Sequence, residues 1–154
     1  MSFASYFDYS GDAATTGTQP DDAVFLPDLD DAGWERLLAY AQVSRFRQGE
    51  TVIEAGAADR TLYIVADGVL ELEGSEDDAL VESGAVLGEV PFFDGLPHPV
   101  AIRARTDVDL LGLSPDAFDT LAARDPALAR TVLMDLGRLL AVRLRRLSGT
   151  GGAA

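Results

Sequence analysis

The chain has 154 residues, which suits one domain, and its hydrophobic content of 47% is enough for a packed core. Its formal net charge is −14 and all twelve basic residues are arginines, so the chain as a whole repels nucleic acid and anionic ligands. The lack of cysteine excludes disulfides, thiol catalysis and iron–sulfur ligation.

Membrane insertion, secretion and catalysis are not expected either. No apolar run approaches the ~18 residues of a membrane span, and the start M-S-F-A-S-Y-F-D lacks the basic and apolar regions of a signal peptide. We therefore expect a cytoplasmic protein that does not bind membranes. With one histidine, no lysine and no calcium-loop or zinc-ligand motif, we expect neither an enzyme nor a metal site.

Residues 1–23 form a predicted leader that is rich in Gly, Thr, Asp and Ser, a composition typical of disorder. The leader nevertheless carries four of the twelve aromatic residues of the chain: Phe3, Tyr6, Phe7 and Tyr9. A flexible linker does not require aromatic residues. We expect them to bind a protein partner, and the alternative is that they pack on their own domain.

Residues 24–148 form the predicted domain, and residues 24–41 are its entry segment, which contains a predicted helix. Asp30 is its predicted N-cap, and apolar residues such as Trp34 follow at helical spacing. From residue 43 to residue 114 the pattern predicts about eight short strands, with a hairpin at Asp67-Gly68 and a polar hairpin tip at 74–78. The expected strands are 43–46, 51–54, 62–66, 69–72, 80–81, 86–87, 100–104 and 109–113.

Two helices are predicted after the strands, capped by Ser114 and Asp125, each followed by proline. The second helix is expected to end near Leu147, followed by a flexible tail over residues 149–154. Its leucines suggest a short coiled-coil seam for a homodimer, and the alternative is a stripe that packs on the strands. The seam residues are Leu133, Leu136, Leu140 and Leu147.

Four arginines gather near the end of this second helix: Arg138, Arg143, Arg145 and Arg146. Positive side chains there stabilise the negative end of the helix dipole, which is the interpretation we favour. Contact with an acidic partner or with an anion is the alternative.

The stretch from 87 to 104, L-G-E-V-P-F-F-D-G-L-P-H-P-V-A-I-R-A, runs from a strand through a Gly88-Glu89 corner and an apolar half-turn back to a strand. It resembles the phosphate-binding cassette of cyclic-nucleotide-binding domains, the sensor half of Crp/Fnr regulators. Two further motifs of that family stand in the right order, one from Phe46 to Gly56 and one from Tyr63 to Leu70. The resemblance implies a mainly β fold, a jelly-roll barrel with an N-terminal helix and two C-terminal helices.

In that family the glutamate accepts from the ribose hydroxyl, and an arginine nine residues later pairs with the phosphate. Here that position is His98, which lacks the permanent bidentate charge of arginine. Pro91 and Pro99 remove two backbone N–H donors. We therefore expect no cofactor and disfavour cyclic nucleotide. The candidate ligand residues are Gly88, Glu89, Val90, His98, Pro99, Val100 and, if strand alternation turns it inward, Arg103.

These observations favour a non-enzymatic domain of cyclic-nucleotide-binding type that does not bind nucleotide. It would be a protein-interaction or structural subunit of a larger assembly, contacting partners through its leader and its last helix. The alternative is a stand-alone sensor of cAMP, cGMP or another small ligand that signals through the last helix. No DNA binding is expected, because no helix-turn-helix follows that helix in the sequence.

Overall fold

A computed structural model of the chain describes residues 24–73 and 79–151, with side chains described up to residue 148. The leader aromatics Phe3, Tyr6, Phe7 and Tyr9 lie outside these ranges, as does the predicted hairpin tip at 74–78. The first described element is helix α1, Asp31–Leu38, which begins where the Asp30 carboxylate accepts a hydrogen bond of 2.7 Å from the Gly33 N–H. Its buried side chains, Trp34 and Leu37, anchor it to the core.

Eight strands follow within the described residues, and they form two four-stranded antiparallel sheets. The first sheet has the order β1-β8-β3-β6 and the second has the order β2-β7-β4-β5. All the expected strands are present, with ends that differ by one or two residues. They are β1 Gln42–Phe46, β2 Thr51–Ile53, β3 Leu62–Asp67, β4 Val69–Leu72, β5 Leu80–Glu82, β6 Val86–Leu87, β7 Ile102–Ala104 and β8 Val108–Leu113.

The Asp67-Gly68 turn joins β3 to β4, as the sequence predicts. Gly68 has φ = 97°, a region that disfavours side chains, and a Cβ on it would lie 2.3 Å from the backbone oxygen of Asp107. Glycine is therefore required twice at this position, once by the backbone angle and once by the close approach of the chain that leads into β8. At this turn the chain passes from the first sheet, which contains β3, to the second sheet, which contains β4.

Three helices complete the domain: the short α2, Glu89–Asp94, and the C-terminal pair α3, Pro115–Arg124, and α4, Pro126–Gly151. The predicted caps are present, since Ser114 accepts from the Ala117 N–H at 3.1 Å and Asp125 accepts from the Leu128 N–H at 3.2 Å. The expected end of α4 near Leu147 is wrong, because the helix continues to Gly151 and takes up the first residues of the predicted tail.

The core has two parts. One lies between the two sheets and contains Val65, Leu70 and Leu110, all fully buried. The other lies between the first sheet and the helices, where α4 contributes a stripe at helical spacing, namely Leu128, Ala129, Val132, Leu136 and Leu139. The assignment of Leu136 to a dimer seam is therefore wrong: three residues beyond Leu133, it faces the core and is fully buried.

Leu133 and Leu147 lie on a more exposed side of α4, with 39% and 70% of their surface exposed, and Leu140 is half-buried. In the described ranges, none of the helices is both long enough and apolar enough to span a membrane.

Candidate functional site

A cavity of about 490 Å³ opens at one end of the barrel, a volume within the range of about 300–1,000 Å³ that is usual for small-ligand sites. It is bounded by strands of both sheets, by α2 and by the last turns of α4. Its lining consists of Leu72, Ala79, Leu80, Val81, Val86, Leu87, Gly88, Glu89, Val90, Pro91, His98, Pro99, Val100, Ile102, Arg143 and Arg146. Most of these residues are apolar, and four of them carry ionisable side chains.

A second depression, of about 620 Å³, lies between residues 26–29 and the outer side of α4. Its main charged groups already bind each other and the backbone. Arg138 pairs with Asp135 at 2.7 Å and donates to the Val24 carbonyl, while Asp135 accepts from the Leu26 N–H. These contacts fasten the entering chain to α4, so the smaller cavity in the barrel is the candidate site.

Helix α2 shapes the rim of the cavity. It starts after Gly88, which has φ = 79° and whose added Cβ would lie 2.7 Å from the Thr61 carbonyl oxygen. Arg60 holds the other end of α2, because its guanidinium donates to the carbonyl of Phe92 at 3.2 Å and approaches that of Pro91 at 3.4 Å. Arg60 thus fixes the end of α2, and the close approach of Thr61 leaves room only for glycine before its start.

Glu89 is the first residue of α2 and is 95% buried, with 5% of its surface exposed. Its carboxylate forms an ion pair with the guanidinium of Arg143 on α4. Burial lowers the pKa of Arg143, and the positive charge of Arg146 lowers it further, but an arginine stays charged in this environment. Glu89, Arg143 and Arg146 thus bring three charged side chains into the lining of the cavity.

His98 also lines the cavity and is buried, with 4% of its surface exposed. Its Nε2 lies 2.8 Å from the Asp59 carbonyl oxygen, to which it donates. Its backbone N–H donates to Ala57, and its carbonyl accepts from the Gly56 N–H. His98 therefore lines the cavity, but its ring donor is committed to the protein itself.

The carboxylate of Asp59 extends this network, because it accepts from the Tyr63 hydroxyl and from the Thr61 N–H. Burial raises the pKa of Asp59, but the hydrogen bonds from Tyr63 and Thr61 and the charge of His98 together bring that pKa below its usual value. Burial, followed by the bond to Asp59, raises the pKa of Tyr63 to about 12. The Asp59 contribution to stability is lost as pH falls through its lowered pKa, and the Tyr63 contribution is lost as pH rises from 10 towards 12.

Six of the seven candidate ligand residues line the cavity: Gly88, Glu89, Val90, His98, Pro99 and Val100. The seventh does not, so the expectation for Arg103 is wrong. It lies between the buried Ile102 and Ala104 on β7, and alternation turns it outward, where it pairs with Glu73 at 2.7 Å. Arg105 likewise faces out and approaches Glu71 at 3.5 Å.

Sequence reasoning singled out Arg143 and Arg146 but did not connect them with the cassette, although both line the same cavity from α4. Interpreting them as charges that only stabilise the helix dipole is incomplete. The available signal was their spacing, since residues three apart share a face of a helix. That spacing does not reveal which surface the face meets. Among the described residues, no group of three or more His, Asp or Glu side chains is placed to hold a metal ion.

Comparison with known proteins places this geometry in context. Residues 43–125 match the family model for the cyclic nucleotide-binding domain. The HTH-type transcriptional regulator Cmr of Mycobacterium tuberculosis is 32% identical over 116 residues, which cover 72% of this chain and 48% of that regulator. Patatin-like phospholipase domain-containing protein 6 of Pongo abelii is 31% identical over 126 residues, covering 73% of this chain and 9% of that protein. The chain therefore spans about half or less of these relatives.

Solved structures agree with the architecture. A cyclic nucleotide-binding domain from Methylobacillus flagellatus superposes with a TM-score of 0.72 at 25% identity, covering 81% of this chain and 74% of that one. The catabolite activator protein of Thermus thermophilus superposes with a TM-score of 0.68 at 26% identity, covering 79% and 58%. The mainly β jelly-roll prediction is thereby confirmed, including the N-terminal helix and the two C-terminal helices.

Proposed function

Because this chain belongs to the cyclic nucleotide-binding domain family, we propose that it is a non-enzymatic regulatory domain whose cavity does not hold a cyclic nucleotide. In this proposal it acts as an interaction subunit, with α4 and the aromatic leader as its contacts to other proteins. The observation that carries the proposal is the ion pair between Glu89 and Arg143, because it takes up the carboxylate that the family resemblance assigns to the ribose.

The phosphate side of the cavity supports the same conclusion. From residue 88 to residue 100 the chain has no arginine or lysine, and Pro91 and Pro99 have no N–H to donate. His98 is directed to the Asp59 carbonyl rather than to the cavity. A phosphate placed against residues 88–100 would find no arginine or lysine among them and two N–H donors fewer, and each oxygen left unsatisfied costs about 1–3 kcal/mol, more for a charged group. Two such losses, about 2–6 kcal/mol in total, weaken binding by a factor of about thirty or more.

The interaction surface is the exposed side of α4. Leu133, Met134, Leu144 and Leu147 are 39%, 65%, 65% and 70% exposed, respectively, although all are large and apolar. Large apolar side chains that stay exposed along a helix fit a protein-binding surface. The leader residues Phe3, Tyr6, Phe7 and Tyr9 remain the second predicted contact.

Calorimetric titration with cAMP and with cGMP tests the proposal directly. We expect no saturable heat for either nucleotide at concentrations where members of the family that bind nucleotide are saturated. Micromolar binding of either nucleotide by the natural sequence would overturn the proposal.

A gain-of-function pair sharpens this test. His98→Arg combined with Pro99→Ala adds a permanent bidentate charge and a backbone N–H, so we expect measurable affinity for cAMP. The matched control is His98→Met with Pro99→Ala, which removes the same imidazole and adds the same N–H without the charge. If the arginine pair gains nothing over the methionine pair, the missing phosphate partners are not the reason why nucleotide is excluded.

A further inference from the structure

We propose that the barrel cavity binds an uncharged aliphatic alcohol, with its hydrocarbon body against the strands and its hydroxyl on His98. This inference rests on the proposed function only in treating the cavity as one that does not hold a cyclic nucleotide. It adds the chemical class of ligand that the described part of the lining fits.

The walls determine the body of the ligand. Leu87, Ile102 and Val81 come from strands of both sheets and are buried, with 4%, 4% and 8% of their surface exposed. Leu80 and Val100 add further apolar surface to the lining. Aliphatic groups are stabilised in such a space because they leave water, whereas each polar group placed against these walls loses its water without replacement.

The ion pair in the lining disfavours a charged ligand. The Glu89 side chain is only 6% exposed, and its carboxylate is paired with the Arg143 guanidinium. A carboxylate ligand beside this pair would be attracted by Arg143 and repelled by Glu89, and an ammonium ligand would meet the reverse arrangement. Either charged group would lose its water without an overall gain from the pair. Arg146 also lines the cavity but has an interaction of its own within the chain, so we assign no ligand group to it.

His98 offers a polar contact that suits a hydroxyl. Its Nε2 donates to the Asp59 carbonyl at 2.8 Å, so in the neutral ring Nδ1 is an acceptor. The residue is buried, with 4% of its surface exposed, yet none of the described residues donates to Nδ1. A buried acceptor without a donor is destabilising. Because His98 lines the cavity, the O–H of an alcohol bound there would supply the donor.

A calorimetric series with a constant eight-carbon body tests the assignment on the intact chain. Octan-1-ol is expected to bind at least about tenfold more tightly than octanoate or octylamine, because each charged group loses water beside a pair that is already neutral. Ethanol, which lacks the body, is expected to bind at least about a hundredfold more weakly than octan-1-ol. Octan-1-ol that does not bind, or that binds no better than octanoate or octylamine, would overturn the inference.

An isomer of octan-1-ol tests the hydroxyl separately. In 1-methoxyheptane the same atoms form an ether, which has no O–H to donate to His98. We expect this ether to bind about three- to tenfold more weakly than octan-1-ol, which is the effect of one neutral hydrogen bond. Equal affinities would contradict the position of the hydroxyl on His98.

Two variants test whether the ion pair excludes charged ligands. Glu89→Gln leaves Arg143 without its carboxylate, so this variant is expected to bind octanoate at least about tenfold more tightly than the natural chain does. The matched control combines Glu89→Gln with Arg143→Met. It has the same amide but no guanidinium, and it should lose the gain. An equal gain in both variants, or no gain with Glu89→Gln, would contradict this role of the pair.

The outcomes also separate this inference from the proposed function. Binding of cAMP by the natural chain overturns the proposed function, whatever octan-1-ol does. If neither octan-1-ol nor cAMP binds, only the ligand class is overturned. If Glu89→Gln lowers the melting temperature so far that the variant cannot be titrated, the ligand series on the natural chain still decides the question.

Discussion

The first half of α4, residues 126–139, buries a continuous apolar stripe in the core, whereas none of the side chains described between 140 and 148 is buried. Leu136 in the first half is fully buried. In the second half, the ion pair to the barrel is made by Arg143 with Glu89 of α2. One helix is thus attached by hydrophobic burial at one end and by an ion pair beside a cavity at the other.

The two kinds of attachment respond to different changes. Hydrophobic burial does not depend on direction, and in the first half it takes place away from the cavity. The Arg143–Glu89 pair lies in the lining of the cavity and joins the second half of α4 to α2.

The largest loss of stability is expected from a substitution in the buried stripe of the first half of α4. Leu136→Ala leaves a cavity in the core, and we expect it to lower the free energy of unfolding by about 2–5 kcal/mol. Met134→Ala, on an exposed position two residues earlier, is the control and should cost no more than about 0.5 kcal/mol. Chemical denaturation monitored by circular dichroism measures both. Similar losses for the two variants would show that this half is not held by its buried stripe.

A smaller loss of stability is expected from removing the ion pair in the second half of α4. Arg143→Met leaves the buried carboxylate of Glu89 without its partner and should cost about 1–2 kcal/mol. Hydrogen exchange should show faster exchange in residues 140–148 and unchanged protection in residues 126–139. Arg145→Met is the control, because Arg145 is an exposed neighbour on the same helix and does not line the cavity. Uniform loss of protection along α4 would mean that the two halves are one unit.

The smallest effect on stability is expected from the exposed leucines. If α4 pairs with a second copy, as the seam of Leu133, Leu140 and Leu147 predicts, the natural chain is a dimer in solution. Leu147→Asp places a charge in that interface, so it should produce monomers while changing the stability of each subunit by no more than about 0.5 kcal/mol. Light scattering after size exclusion measures the mass. A natural chain that is already monomeric contradicts the dimer.

Local signals predicted most of the fold. The N-caps Asp30, Ser114 and Asp125 and the prolines that follow the last two act through residues at most three positions away, and the 67–68 turn could be predicted because glycine favours its backbone angle. The alternation of apolar and polar residues located the strands, because this pattern also depends only on near neighbours. Strand alternation also predicts the outward position of the Arg103 side chain, because its buried neighbours occupy the inner face of β7.

The candidate site was predicted less completely. The cassette residues come from one stretch of chain, so a motif could identify six of them. Arg143 lies more than fifty positions after Glu89, and no local pattern joins the two. The heptad spacing of the α4 leucines gave a wrong assignment for Leu136 for a related reason, since the periodicity shows which residues share a face but not what that face contacts.

The sequence alone therefore determined the strands, the turns, the caps and the absence of a cation between residues 88 and 100, because each depends on near neighbours or on composition. Only the tertiary structure decided that Glu89 pairs with α4, that His98 binds a backbone carbonyl and that Leu136 belongs to the core. These contacts join residues far apart in the chain, and they arise only when the two sheets and α4 pack together around the cavity.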